Sequence, residues 1–147
     1  MKRPLAYALP ADRYYDQASH VWVDLVAPAT ARCGLDPLGS ETSGDVVAIS
    51  FAPVGTEVAR REAFGSLEAA KFVGPLEAPV SGIIRAHNEA ALRNPGLLNR
   101  DPMAAWLIEI ELSDLRELAL LLHGEERVRA WLERETERFR QRGMVAQ

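Results

Sequence analysis

The chain has 147 residues, 48% hydrophobic and 26% charged, which suits one domain with an adequate core and argues against a multidomain enzyme. Seventeen Lys and Arg against 21 Asp and Glu leave a net charge of −4, a balance that offers no broad attraction to nucleic acid or to an anionic membrane. Apolar runs fall far short of the ~20 residues of a membrane-spanning helix, the first ten residues lack a signal-type apolar core, and the single cysteine, Cys33, precludes an internal disulfide. These features predict a cytoplasmic protein without a bound metal.

In chain order, residues 1–19 mix turn formers with Tyr7, Tyr14 and Tyr15 and read as an irregular N-terminal arm. Extended segments are predicted at His20–Val26, Ala29–Leu35, Asp45–Phe51, Ala63–Glu68, Gly82–His87 and Ala105–Leu112, punctuated by glycine and proline at the density of a small β-sandwich or barrel. In the last segment Trp106, Ile108, Ile110 and Leu112 alternate with Leu107, Glu109 and Glu111, so one face is expected to be buried. A short helix at Glu89–Leu92, ended by Asn94-Pro95, interrupts the strands. After Leu112 the pattern turns helical. Ser113 or Asp114 can cap a helix running to His123, with Gly124 as its stop. A second helix follows, with Val128, Trp131, Leu132, Thr136 and Phe139 on one face. The predicted organisation is thus an arm at 1–19, a mainly β domain at 20–112 and a helical extension at 113–147.

No self-contained catalytic constellation emerges. Ser66 lacks the surroundings of a nucleophile elbow, and the glycines form neither a dinucleotide fingerprint nor a phosphate loop. His20, beside Trp22, reads as a structural histidine, and Cys33 as packing. Lys71 is different. Of the 17 basic residues 15 are arginine, and the two lysines are Lys2 and Lys71. Arginine stays protonated and cannot serve as an acylatable amine, so one internal lysine in an arginine-rich chain is either a required amine or a surface residue kept by chance, and its context decides. Glu68-Ala69-Ala70-Lys71-Phe72-Val73-Gly74-Pro75 joins two extended stretches, as a hairpin tip would, and small neighbours leave the amine open to a modifying enzyme.

From His20 to Asp114 the chain resembles the lipoyl-bearing H-protein family of the glycine cleavage system. The resemblance is carried by His20-Val21-Trp22-Val23, Gly44-Asp45-Val46-Val47, Pro53-Val54-Gly55-Thr56-Glu57-Val58, Glu68-Ala69-Ala70-Lys71, Pro79-Val80-Ser81-Gly82 and Leu98-Asn99-Arg100-Asp101-Pro102, in order and at matching spacing. It implies a hybrid barrel-sandwich, mainly β with C-terminal α-helices. It also implies a lipoyl group amide-linked to Lys71, with Glu68 recognised by the modifying enzyme. Such a protein is a non-catalytic carrier: the cofactor supplies the chemistry, and the protein displays it as a swinging arm. A biotinyl carrier is the structural rival, but Ala70 and Phe72 stand where it has methionines.

Two departures concern the cargo. Val21 replaces the glutamate of the family's His-Glu-Trp motif, and Pro75 replaces an aspartate four residues after the lysine. Both changes remove carboxylates that help shelter a cationic aminomethyl load, with Asp16 and Glu77 as conceivable substitutes. Asp36-Pro37-Leu38-Gly39-Ser40 likewise departs from the family's Thr-Asp-x-Ala-Gln stretch. The run Lys71-Phe72-Val73-Gly74-Pro75, with Asp12-Arg13-Tyr14-Tyr15-Asp16 upstream, is similar to the H-like lipoate-binding proteins of the heterodisulfide-reductase-like sulfur oxidation system. The expected partners are therefore lipoate-attaching enzymes and a heterodisulfide-reductase-like complex, with the glycine cleavage enzymes as the alternative. An unmodified docking or regulatory module is a third reading.

Overall fold

The structure is a computed structural model that describes residues 9–10 and 12–143; the expected arm at 1–19 thus falls partly outside the described residues. Among the described residues ten strands form two sheets. The larger is built from β1 (Tyr14–Tyr15), β2 (Val21–Ala27), β3 (Thr30–Leu35), β5 (Glu57–Val58), β8 (Gly82–His87), β9 (Ile108–Leu112) and β10 (Leu122–His123), in the order β10-β1-β2-β3-β9-β8-β5. The smaller is β4-β6-β7, from β4 (Val46–Phe51), β6 (Ala63–Ala69) and β7 (Val73–Glu77). All the pairings are antiparallel. Inward-facing residues of both sheets, among them Val23, Cys33, Phe64, Leu67, Ile84, Ile108 and Ile110, form the main core. This is a mainly β barrel-sandwich with a C-terminal helix, as the sequence indicates.

The helices lie around this core: α1 (Pro37–Ser43), α2 (Glu89–Arg93), α3 (Gly96–Arg100) and α4 (Glu125–Gln141). Helix α1 occupies a stretch that proline and glycine had marked as turn. Its cause is local: the Asp36 carboxylate accepts from Gly39 N at 2.8 Å and Pro37 takes the first turn, where a missing N–H costs nothing. Helix α4 buries Val128, Trp131, Leu132, Thr136 and Phe139, the five positions read as its packing face. Together with Tyr15, Trp22 and Leu38, its apolar residues make a second core beneath the larger sheet.

The segment after Leu112 differs from expectation. A single α-helix from Ser113 or Asp114 to His123 is not formed; Leu115–Leu120 is a 3₁₀ turn capped by Asp114, and Leu122–His123 is β10, paired with Tyr14–Tyr15. Antiparallel pairing with a strand near the other end of the chain overrides the local helical pattern. Gly124, with φ of 100°, consequently precedes α4 rather than ending an earlier helix. The alternation around Ala105–Leu112 also breaks at its start. The strand begins at Ile108, Leu107 is fully buried with its N–H bonded to Cys33 O, and Trp106 remains partly exposed under the Arg32 guanidinium.

Candidate functional site

Strands β6 and β7 form a hairpin in which Glu68 pairs with Val73, and Ala70-Lys71-Phe72 is its tip. The tip is fixed by backbone bonds. Ala69 N donates to Phe72 O at 2.8 Å, Ala70 N to Asp45 O at 2.9 Å and Lys71 N to Ser43 O at 2.8 Å. The last two tie the hairpin to the α1–β4 connection, where Gly44 adopts φ of 78°. A Cβ at Gly44 would lie 3.2 Å from Ala70 Cβ and 3.3 Å from Lys71 Cγ, so glycine serves both the left-handed conformation and the close approach of the lysine stem. Lys71 itself is exposed on this held backbone. Of the two alanines expected beside it, Ala70 is exposed and forms the low wall, whereas Ala69 is buried in the core. Glu68 is exposed on the outer face of the sheet, between its cross-strand neighbours Ala48 and Val73.

Two hollows flank the tip. One is a cleft of about 310 Å³ whose lining includes Val21, Leu35, Leu67, Phe72 and Pro75. Both positions that depart from the family pattern therefore meet in one place, Val21 buried and Pro75 exposed. Polar residues in the lining are Ser19, His20, Thr42, Ser43 and Glu77. Asp16 is no substitute acceptor here. It is buried and engaged by Arg60 at 3.3 Å, by Arg61 at 2.9 Å and by the Ser19 hydroxyl, so it locks the turn that leads into β2. The second hollow is a groove of about 630 Å³, bordered by Ser40, Glu41, Asp45, Lys71 and Asn99.

His20 is a structural residue, and an unusual one. It is buried at φ of 59°, held by His20 N to Asp16 O and Asp36 N to its own carbonyl, and its Nδ1 lies 2.9 Å from Asp36 Oδ2. Its ring stacks on Trp131 at 5.1 Å, and Nε2 is 3.9 Å from Glu135 Oε2 on α4. Burial alone would lower the imidazole pKa. The hydrogen bond to Asp36 and the charges of Asp36 and Glu135 outweigh it, against opposition from Arg138, and hold the pKa above its ordinary value. A raised folded-state pKa contributes stability that is complete below the unfolded value of ~6.5 and is lost as pH rises through the folded one. Melting temperatures measured upward from about pH 6.5 are expected to fall more steeply for the native chain than for His20→Gln; parallel profiles would remove the charge from this role.

The remaining candidates are accounted for by packing. Cys33 is fully buried, and its thiol is pushed up to about 12, which leaves no reactive thiolate. The Ser66 hydroxyl meets that of Ser50 at 2.7 Å on an exposed face, with no base beside it. Among the described residues no group of three His, Cys, Asp or Glu is placed to hold a metal ion. No helix among them is long and apolar enough to cross a membrane. Sequence reading missed Asp36, the residue that joins His20 to α1; its signal was an aspartate followed by proline, the pattern of a cap and first turn.

A model of the family described as "Glycine cleavage H-protein" matches residues 13–135. The glycine cleavage system H protein of Corynebacterium jeikeium (strain K411) is 41% identical over 115 residues, spanning 76% of this chain and 90% of that protein. The one from Mycobacterium leprae (strain Br4923) is 38% identical over 122 residues, with 80% and 92% covered. Among solved structures, a glycine cleavage system H protein from Mycobacterium marinum superposes with a TM-score of 0.65 at 32% identity, over 76% of this chain and 96% of that one.

Proposed function

The chain belongs to the glycine cleavage H-protein family, whose members are non-catalytic carriers holding lipoate covalently on a lysine, and from that premise we propose that Lys71 is the lipoylated residue and that the arm it bears shuttles an aminomethyl group between the glycine cleavage enzymes. The observation that carries this reading is the hairpin tip: an exposed primary amine on a backbone tied at Ala69, Ala70 and Lys71. The residues present fit the group. The stem is open to an attaching enzyme, and the adjoining cleft, walled by Val21, Leu35 and Leu67, suits a methylene chain and an apolar ring. Lipoate supplies disulfide–dithiol exchange; the chain displays it and limits where it goes.

Glu68 is proposed as part of the surface that the lipoate-attaching enzyme reads. Its carboxylate is exposed, three residues before the amine, and it makes no packing contribution that its loss would remove. Glu68→Ala is expected to slow lipoylation several-fold while changing stability by less than ~0.5 kcal/mol. An unchanged modification rate would take Glu68 out of the recognition surface.

The order of pathways expected from the sequence is reversed here. The family and its named relatives favour glycine cleavage, whereas a sulfur-bearing cargo passed to a heterodisulfide-reductase-like complex draws on one observation, the apolar cleft wall made by Val21 and Pro75. Lipoylated protein given glycine and a glycine decarboxylase separates the two. Carbon dioxide release with an aminomethyl mass increment is expected; a fully lipoylated protein that accepts no load would favour the sulfur reading.

A further inference from the structure

His20 lies where the cleft meets the C-terminal helix. It is 8% exposed, it lines the cleft together with Gly39, Thr42 and Ser43 of α1, and its ring stacks on Trp131 and tilts against Phe139 of α4. Its contact with α1 is direct: a Cβ at Gly39 would come within 2.9 Å of His20 Cβ. The two ring nitrogens face carboxylates from different elements. Nδ1 is 2.9 Å from Asp36 Oδ2, and the other oxygen of that carboxylate accepts from Gly39 N to cap α1. Nε2 is buried without a hydrogen-bond partner among the described residues, and Glu135 Oε2 of α4 stands 3.9 Å away.

One protonation state suits this arrangement. The imidazolium presents an N–H to each carboxylate, whereas a neutral ring that keeps its proton for Asp36 turns an Nε2 lone pair towards Glu135. Burial opposes the charged ring, yet the Asp36 hydrogen bond and the charges of Asp36 and Glu135 keep its pKa raised, with Arg138 of α4 opposing them. From the turn before β2, Asp16 presents its carbonyl to His20 N while Arg60 and Arg61 take its carboxylate. From β1, burial pushes the Tyr15 phenol up, so it stays neutral, and on the cleft side the lining carboxylate is Glu77 of β7. Trp131 Nε1 and Thr136 Oγ1, also buried on α4, have no partners among the described residues. Neither supplies a polar contact that could stand in for the one at His20.

We propose that His20 is a positioning residue for the cleft: its imidazolium clasps α4, at Glu135, to the Asp36 cap of α1, and through that cap fixes the wall against which a load on the arm is sheltered. The clasp belongs to the folded chain alone; its effect on the load rests on the reading of Lys71 as the lipoylated residue and of the load as aminomethyl. With a raised folded-state value, the clasp is complete below ~6.5 and opens as pH rises through that value.

Amide exchange of the unmodified full-length chain reads the clasp without any cofactor. Protection at Gly39 and Ser40, whose N–H groups are bonded to Asp36, is expected to fall about threefold or more between about pH 6 and about pH 8, after correction for intrinsic exchange. Glu135→Gln should flatten this profile, because its amide can donate to the neutral Nε2. His20→Gln should flatten it as well, which separates His20 from His87 and His123, bonded elsewhere to the carbonyls of Ala52 and Arg13. Lipoylated chain is then loaded with glycine and a glycine decarboxylase, freed of that enzyme, and followed by intact mass as the aminomethyl group is lost to water. The lifetime of the load on the native chain, relative to Glu135→Gln at the same pH, should fall by a similar factor over the same range. Identical pH profiles at Gly39 and Ser40 in the native chain and both variants, or a loss of protection confined to α4, would overturn the clasp. A lifetime ratio that stays constant while protection falls would overturn its role in the cleft. A lipoylated native chain that accepts no load would overturn the aminomethyl reading, and the exchange profiles would decide the clasp by themselves.

Discussion

Lys71→Arg is expected to abolish covalent lipoylation completely while shifting stability by no more than ~0.5 kcal/mol. The chemical half of the expectation follows from acyl transfer. Amide formation needs a neutral amine as nucleophile, and a lysine reaches that state at modest cost, whereas a guanidinium stays protonated at every working pH. The structural half follows from the hairpin tip, whose geometry is fixed by backbone groups at Ala69, Ala70 and Lys71 rather than by the lysine side chain. Arginine supplies a similar aliphatic stem beside Gly44 and keeps the charge. The measurement is intact mass and peptide mapping of native and variant chains made with a functional lipoylation system, together with thermal melting. Lipoyl mass on the Lys71→Arg variant, or on any other residue of the native chain, would overturn the assignment of Lys71.

How legible this site was depends on the range of the interactions that build it. The β6–β7 hairpin could be read from the sequence because its signals are local: alternating strand residues, small side chains at the turn and a lysine in a chain that otherwise uses arginine. Helix α1 was just as local, but its cap and first-turn proline were masked by glycines, which suggested a loop at a place where the helix packs Gly39 against His20. Strand β10 could not have been read locally at all. Two residues define no period, and Leu122–His123 is extended because Tyr14–Tyr15 pairs with it and Tyr14 stacks on His123 at 4.1 Å. The cleft lies between these cases. Val21 and Pro75 were visible as departures from a family pattern, yet only the fold shows that they share one wall, that Asp16 is consumed by Arg60 and Arg61, and that carboxylates stand across α1.

The second large effect is predicted in the second core, where α4 packs. Trp131→Ala is expected to destabilise the protein by roughly 3 kcal/mol, at the lower end of the range for removing a buried indole. Trp131 is 2% exposed and meets Tyr15 and His20, with ring centroids 6.5 Å and 5.1 Å away, so its loss opens a void at the centre of the second core. The cost is moderated because the buried indole Nε1 has no hydrogen-bond partner among the described residues, and alanine relieves that penalty. Trp131→Phe isolates the two contributions, since it retains most of the apolar contact and removes the orphan N–H; its expected cost is below ~1.5 kcal/mol. Urea unfolding of the three proteins measures both. The alanine variant should also weaken the native chain's dependence on pH above ~6.5, because Trp131 is the surface on which His20 stacks while Nε2 faces Glu135. If Trp131→Ala cost less than ~1 kcal/mol, α4 would be a loosely attached appendage, and the link from Glu135 through His20 and Asp36 to α1 would carry no stability to the walls of the cleft and groove. A cost near ~3 kcal/mol makes the C-terminal helix part of what holds α1 in place between the cleft and the groove.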